Sequence, residues 1–191
     1  MGLSRDRRPS VAPPVTPHMR PDPTSFTRFQ QMLLGTDGTV THLLEAYAGE
    51  PMAVVKLLQE LDTSTDDDRD LNLPEAEDVL RRQVVLRGGR SGGTFLYAEA
   101  VVALGRVEPA FLDGLIGTDK PIGVLLAEAR TETFREILHV GRQPAGPSGA
   151  HFGLGTGAEV IFRTYRIVAR RQPMIVITER FPPELFRVLP D

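Results

Sequence analysis

The chain has 191 residues, with 22 Lys and Arg against 25 Asp and Glu, giving a formal charge of −3. That length suffices for one domain with a sizeable core, and that charge argues against nonspecific binding of nucleic acid. The absence of cysteine excludes disulfides, thiolate catalysis and Cys-ligated zinc, and no apolar run is long enough to span a membrane.

Residues 1–24 are rich in Pro and Arg and have no hydrophobic period. Such a segment cannot bury enough surface to offset its ordering entropy, so a disordered tail is expected, followed by a single domain over 25–191. The tail has no apolar h-region and is not a secretory signal, which makes the cytoplasm the expected location. Thr24 or Ser25 is the expected N-cap of a first helix through Phe26, Phe29, Met32 and Leu33. Gly35-Thr36-Asp37-Gly38 breaks it, and Val40, Leu43, Leu44 and Tyr47 mark a second short helix.

Residues 52–61 read as a strand, and 62–70 as an acidic, solvated loop. Residues 79–87 and 94–104 form a hairpin across the glycine-rich stretch 88–93. Short helices are expected at 109–116 and at 122–128, the latter with Pro121 at N1. Residues 131–140 read as a strand with Phe134, Ile137, Leu138 and Val140 inward at least in part. The Gly/Pro-rich stretch 141–157 reads as a long loop of the kind that acts as a lid. Residues 159–169 and 174–181 pair as a second hairpin, and 182–191 close the domain. Helices and strands without βαβ alternation predict an α+β fold with a mainly antiparallel sheet.

Two charged residues stand out because their strands are otherwise apolar. Arg81 and Arg82 occupy consecutive positions of Leu80-Arg81-Arg82-Gln83-Val84-Val85-Leu86, so they point to opposite faces and one of them can enter the interior. A buried guanidinium needs a planar anionic partner. Glu179 ends the run Met174-Ile175-Val176-Ile177-Thr178, on the face of Ile175 and Ile177. Burial would raise its pKa and let it act as an acid near neutral pH. Together they can hold a small anion and move a proton. The plainer alternative is structural: both arginines as strand charges, and Glu179 as the partner of Arg82, Arg163 or Arg166. Lys120-Pro121-Ile122-Gly123 sits at a helix start, where free N–H groups accept an anion or a carbonyl oxygen.

Other patterns carry no chemistry. Gly153-Leu154-Gly155-Thr156-Gly157 lacks the strand–helix context and the Lys-Ser/Thr of a phosphate loop. His18, His42, His139 and His151 have no ligand spacing, so no metal site is expected. Asp66-Asp67-Asp68 lacks the glycine and distal glutamate of a calcium loop.

These segments, in this order, resemble the chorismate pyruvate-lyase family over roughly 25–186. The resemblance is strongest at 80–86, 118–133 and 162–181. Arg163-Thr164-Tyr165-Arg166-Ile167 followed by Thr178-Glu179-Arg180-Phe181 is similar to the actinobacterial branch. The resemblance implies an antiparallel sheet carrying helices, with an internal cavity closed by helical flaps, one of them the turn at Gly35–Gly38. It implies a cofactor-independent enzyme, a monomer or weak homo-oligomer, that converts chorismate to 4-hydroxybenzoate and pyruvate. It also implies that Arg82 binds the ring carboxylate, that Glu179 lies by the ring hydroxyl, and that Ile122 and Gly123 contact the substrate through their backbone. Better-known proteobacterial members have Glu where this chain has Gln83, and Arg roughly where it has Glu99. Glu99 then removes a charge available for a second carboxylate, which motivates an alternative: the same fold turned to another biosynthetic substrate, by natural-product tailoring or pericyclic chemistry. A noncatalytic binding module is a third reading, because effector domains of some GntR-type regulators share the architecture.

Overall fold

The computed structural model describes residues 26–187; the expected tail and the expected N-caps Thr24 and Ser25 lie outside them. In chain order the elements are α1 (Arg28–Gly35), α2 (Val40–Ala48), β1 (Met52–Thr63), β2 (Asp78–Gly88), β3 (Thr94–Ala103), α3 (Pro109–Gly117), α4 (Ile122–Glu128), β4 (Phe134–Pro144), β5 (Glu159–Ala169) and β6 (Gln172–Phe181). Short 3-10 turns join them, among them Asp66–Leu71 and Gly146–Phe152. The strands form one antiparallel sheet in the order β1-β2-β3-β6-β5-β4. β3 and β6 are central, and β1 and β4 are the edges. This is the α+β class expected from the pattern.

The helices cover one face of the sheet. Period-2 alternation brings Leu80, Leu86, Leu96, Val102, Ile161, Ile167, Ile175, Ile177 and Phe181 into the core beneath them. The N-cap of α1 is Thr27, two or three residues later than expected, because a capping box forms there: Thr27 Oγ1 accepts from Gln30 N, and Gln30 Oε1 accepts from Thr27 N. The α1–α2 pair is tied to the chain's C-terminal turn. Phe29 stacks on Tyr47 with ring centroids 4.2 Å apart, and both rings pack on Phe186. Gln30 Nε2 donates to the Pro183 carbonyl. Pro121 is the N-cap of α4 rather than its first helical residue.

The opposite face is covered by loops, and here three expectations change. The acidic segment is not a solvated loop. Asp68 is buried, with its carboxylate held by Arg81 Nη1 at 3.0 Å and Nη2 at 2.8 Å and by Thr65 N at 2.9 Å. Arg81 lies behind the sheet, away from Arg82, and also pairs with Asp62. The stretch 141–157 is not a lid. Its first residues extend β4 to Pro144, and the 3-10 turn beyond packs behind β3, where His151 stacks on Tyr97 at 5.3 Å. Phe134 points outward and is 58% exposed. A bulge between Ile137 and His139 inserts Leu138, so Arg135, Ile137 and Val140 share the inner face.

Burial works against the charge of Asp68, but Arg81 and the Thr65 N–H outweigh it and hold the carboxyl below its usual range. The stability this contributes is complete above the unfolded carboxyl's pKa near 4 and is lost as pH falls through the lower folded value. Asp68→Asn is therefore expected to cost about 1–3 kcal/mol at pH 7. In thermal melts, its gap from the unaltered chain closes below about pH 4.

Candidate functional site

The helix-bearing face is not packed solid. β3, the central strand, carries only alanine at two successive inward positions, Ala98 and Ala100. In register with them are Val84 and Arg82 on β2, and Glu179 and Ile177 on β6. Large side chains thus flank a strip of methyl groups, and the space above it is a cavity lined mainly by apolar residues from five strands. Its roof is the turn between α1 and α2, at Gly38–Thr41, and the start of α4, at Pro121–Gly123.

Arg82 and Glu179 both line this cavity, with Ile122 and Gly123 above them. β2 and β6 are the two neighbours of β3, so the two charged residues sit two strand spacings apart and two residues out of register, about 12 Å between their Cα atoms. Arg82 is 3% exposed. Its Nη2 donates to the Lys120 carbonyl at 3.2 Å, while Nε and Nη1 are buried without a partner. Burial pushes its pKa down, and Asp119 only partly offsets this. Unanswered buried donors cost about 1–3 kcal/mol each, and on a cavity wall they are placed where a planar anion would recover that cost.

Glu179 is also 3% exposed, but it is fully partnered. Arg163 Nε donates to its Oε2 at 2.6 Å, and the Tyr165 hydroxyl donates to its Oε1 at 3.1 Å. Of the three structural partners the sequence left open, the structure selects Arg163; Arg166 pairs with Glu136 behind the sheet. The arrangement is a buried ion pair with a phenol donor. Burial opposes the charge of Arg163, but the Glu179 carboxylate more than compensates and holds its pKa above the ordinary value. Burial, reinforced by Glu179, pushes the Tyr165 phenol well up, so it serves as a donor.

The roof is latched by two of these arginines. Arg163 Nη1 donates to the Thr36 carbonyl at 2.7 Å, and Arg135 Nη1 to that of Asp37 at 2.8 Å. Arg135 and Tyr165 were not singled out in the sequence. Tyr165 follows Arg163 by two and so shares its face, and Ala98-x-Ala100 marks the strand that leaves room for a ligand. Arg135 was hidden by the assumption that Phe134 faces inward. Glu99 lies on the other face of the sheet, paired with Arg180 at 2.6 Å and accepting from Tyr97 at 2.8 Å. Gln83, its register partner, is there too. Neither can touch a ligand in the cavity, so the argument from Glu99 for a different substrate falls.

An α+β sheet with a roofed, cation-bearing apolar cavity defines a small-molecule-binding domain. Solved structures with this fold include a GntR-family transcriptional regulator from Bacillus cereus, at a TM-score of 0.58 and 6% identity over 73% of this chain and 97% of that one. Another is the C-terminal domain of the histidine utilization repressor from Pseudomonas syringae, at a TM-score of 0.56 and 16% identity over 73% and 97%. At such identities the likeness is one of fold. In sequence, the chain belongs to the chorismate pyruvate-lyase Rv2949c-like family, whose model matches residues 33–189. It is 28% identical over 170 residues to the chorismate pyruvate-lyase of Mycobacterium tuberculosis, covering 86% of this chain and 85% of that one. With its Mycobacterium leprae counterpart it shares 30% identity over 167 residues, covering 84% and 77%.

Proposed function

We propose that the protein is a chorismate pyruvate-lyase, releasing pyruvate from chorismate to leave 4-hydroxybenzoate. The observation that carries this reading is the Arg82 guanidinium, with Nε and Nη1 unanswered, in the cavity that Glu179 and Tyr165 also line. In this reading the ring carboxylate meets one fork of Arg82, the unanswered Nε or Nη1 N–H together with the Nη2 N–H that the Lys120 carbonyl leaves free. Each carboxylate oxygen of Glu179 has a second lone pair, so Glu179 still accepts from the 4-hydroxyl at the far side of the ring. Ile122 and Gly123 lie in the first turn of α4, where N–H groups have no intrahelical acceptor, and they meet the substrate through backbone.

The chemistry needs positioning above all. Breaking the C3–O bond turns the ether oxygen into the pyruvate carbonyl. The C4 hydrogen passes to the enolpyruvyl methylene, and a C3=C4 bond completes the aromatic ring. These atoms form a six-membered array, so holding chorismate folded over itself, away from water, supplies the acceleration. The apolar floor and the latched roof suit that task.

The fold neighbours among GntR regulators favour one other reading, a domain that binds an acid without converting it. Incubating the protein with chorismate and separating the products by chromatography decides between them. 4-Hydroxybenzoate and pyruvate in equal amounts are expected. Intact chorismate alongside measurable 4-hydroxybenzoate binding would establish the noncatalytic reading instead.

A further inference from the structure

Chorismate carries two carboxylates, and Arg82 accounts for one. Resting on the lyase reading above, we propose that Arg135 binds the second, the enolpyruvyl carboxylate, and so sets a preference for dianionic substrates. Arg135 sits on the inner face of edge strand β4, in register with Ile167, and both line the cavity. One donor, Nη1, holds the Asp37 carbonyl of the roof. Among the described residues no carboxylate is ion-paired with it, in contrast to Arg163, Arg166 and Arg180. A guanidinium has five donors in a planar fork, so one fixed N–H leaves others for a ligand.

The position fits the substrate's own connectivity. If Arg82 holds the group on C1 and Glu179 the hydroxyl on C4, the enolpyruvyl branch on C3 falls on the Glu179 side of the ring. Arg135 is on that side. Its charge, with that of Arg163, pulls against the rise that burial and Glu179 impose on the Tyr165 phenol. Gly123, in the roof, lies beside Arg135. A Cβ there would stand 3.5 Å from Arg135 Nη2 and 3.3 Å from Thr39 Oγ1, so the guanidinium borders the start of α4. When pyruvate leaves, the aromatic product retains only the carboxylate on Arg82, so Arg135 distinguishes substrate from product.

The test compares two probes by calorimetry on the full chain: 4-hydroxybenzoate, a monoanion, and 3-(carboxymethoxy)-4-hydroxybenzoate, a stable dianion. The unaltered protein is expected to prefer the dianion, and Arg135→Gln to cut the ratio of the two affinities by about tenfold or more. Arg135→Lys, which keeps the charge without the fork, should retain part of the preference. Loss of roof latching alone would weaken both probes equally and leave the ratio unchanged, and that result overturns the proposal. Chorismate turnover is scored separately. Turnover with an unchanged ratio sinks the role of Arg135 and spares the lyase reading. No turnover with a lowered ratio sinks the lyase reading and leaves Arg135 as a dianion-binding residue.

Discussion

Arg82→Leu is expected to lower kcat/KM for chorismate by about 100- to 1,000-fold, the scale of removing one partner of a desolvated, hydrogen-bonded charge pair. The same substitution is expected to leave the fold as stable as before, or to stabilise it by about 1–2 kcal/mol. The two effects have one origin. In the free protein the guanidinium is buried with Nε and Nη1 unanswered and a single bond to the Lys120 carbonyl. Leucine removes that burden and keeps an apolar stem on the cavity wall that Val84 and Ala100 also line. A structural arginine behaves in the opposite way, because its loss strands a carboxylate. Denaturant titration and steady-state kinetics on one preparation check both halves. A destabilised Arg82→Leu would mean that the guanidinium serves the fold, and the anion-receptor role would be withdrawn.

The sequence made the scaffold legible because strands of alternating polarity declare their faces. The hairpin β5–β6, the separation of Arg81 from Arg82, and the inward turn of Glu179 all follow from a period of two. What period two cannot reveal is where the alternation slips. The bulge at Leu138 sets Arg135 on the cavity side, and a reading that put Phe134 inward hides it. Loops failed for a different reason. Nothing local in Asp66-Asp67-Asp68 or in 141–157 states what they pack against. Asp68 is held by Arg81, thirteen residues away, and His151 stacks on the Tyr97 ring of β3. The partner of Glu179 stayed open among three arginines for the same cause. Its surroundings were inferred from apolar neighbours in its own strand, whereas the guanidinium that answers it comes from β5. Partners across the sheet decide which buried charges are satisfied and which are left for a ligand.

That distinction makes the second large effect the mirror image of the first. Glu179→Ala is expected to destabilise the protein by about 3–5 kcal/mol, because it leaves the Arg163 guanidinium, 1% exposed, without its counter-charge. Arg163→Met is expected to cost a similar amount by stranding Glu179. The double variant, Arg163→Met with Glu179→Leu, should lose much less than the sum, with a coupling of about 2–3 kcal/mol in urea titrations. Additive losses would show that the 2.6 Å contact contributes nothing of its own. Recovery of stability must not bring recovery of turnover, because leucine cannot accept a hydrogen bond from the 4-hydroxyl, and removing Arg163 also frees the Thr36 carbonyl and with it one latch of the roof. Glu179→Gln separates the roles further. It keeps the shape and one acceptor for the Tyr165 hydroxyl, so it should fold better than Glu179→Ala while still turning over slowly. A stable double variant with full chorismate turnover would reduce the Arg163–Glu179 pair to scaffolding, and catalysis would then have to rest on Arg82, Arg135 and the shape of the cavity alone.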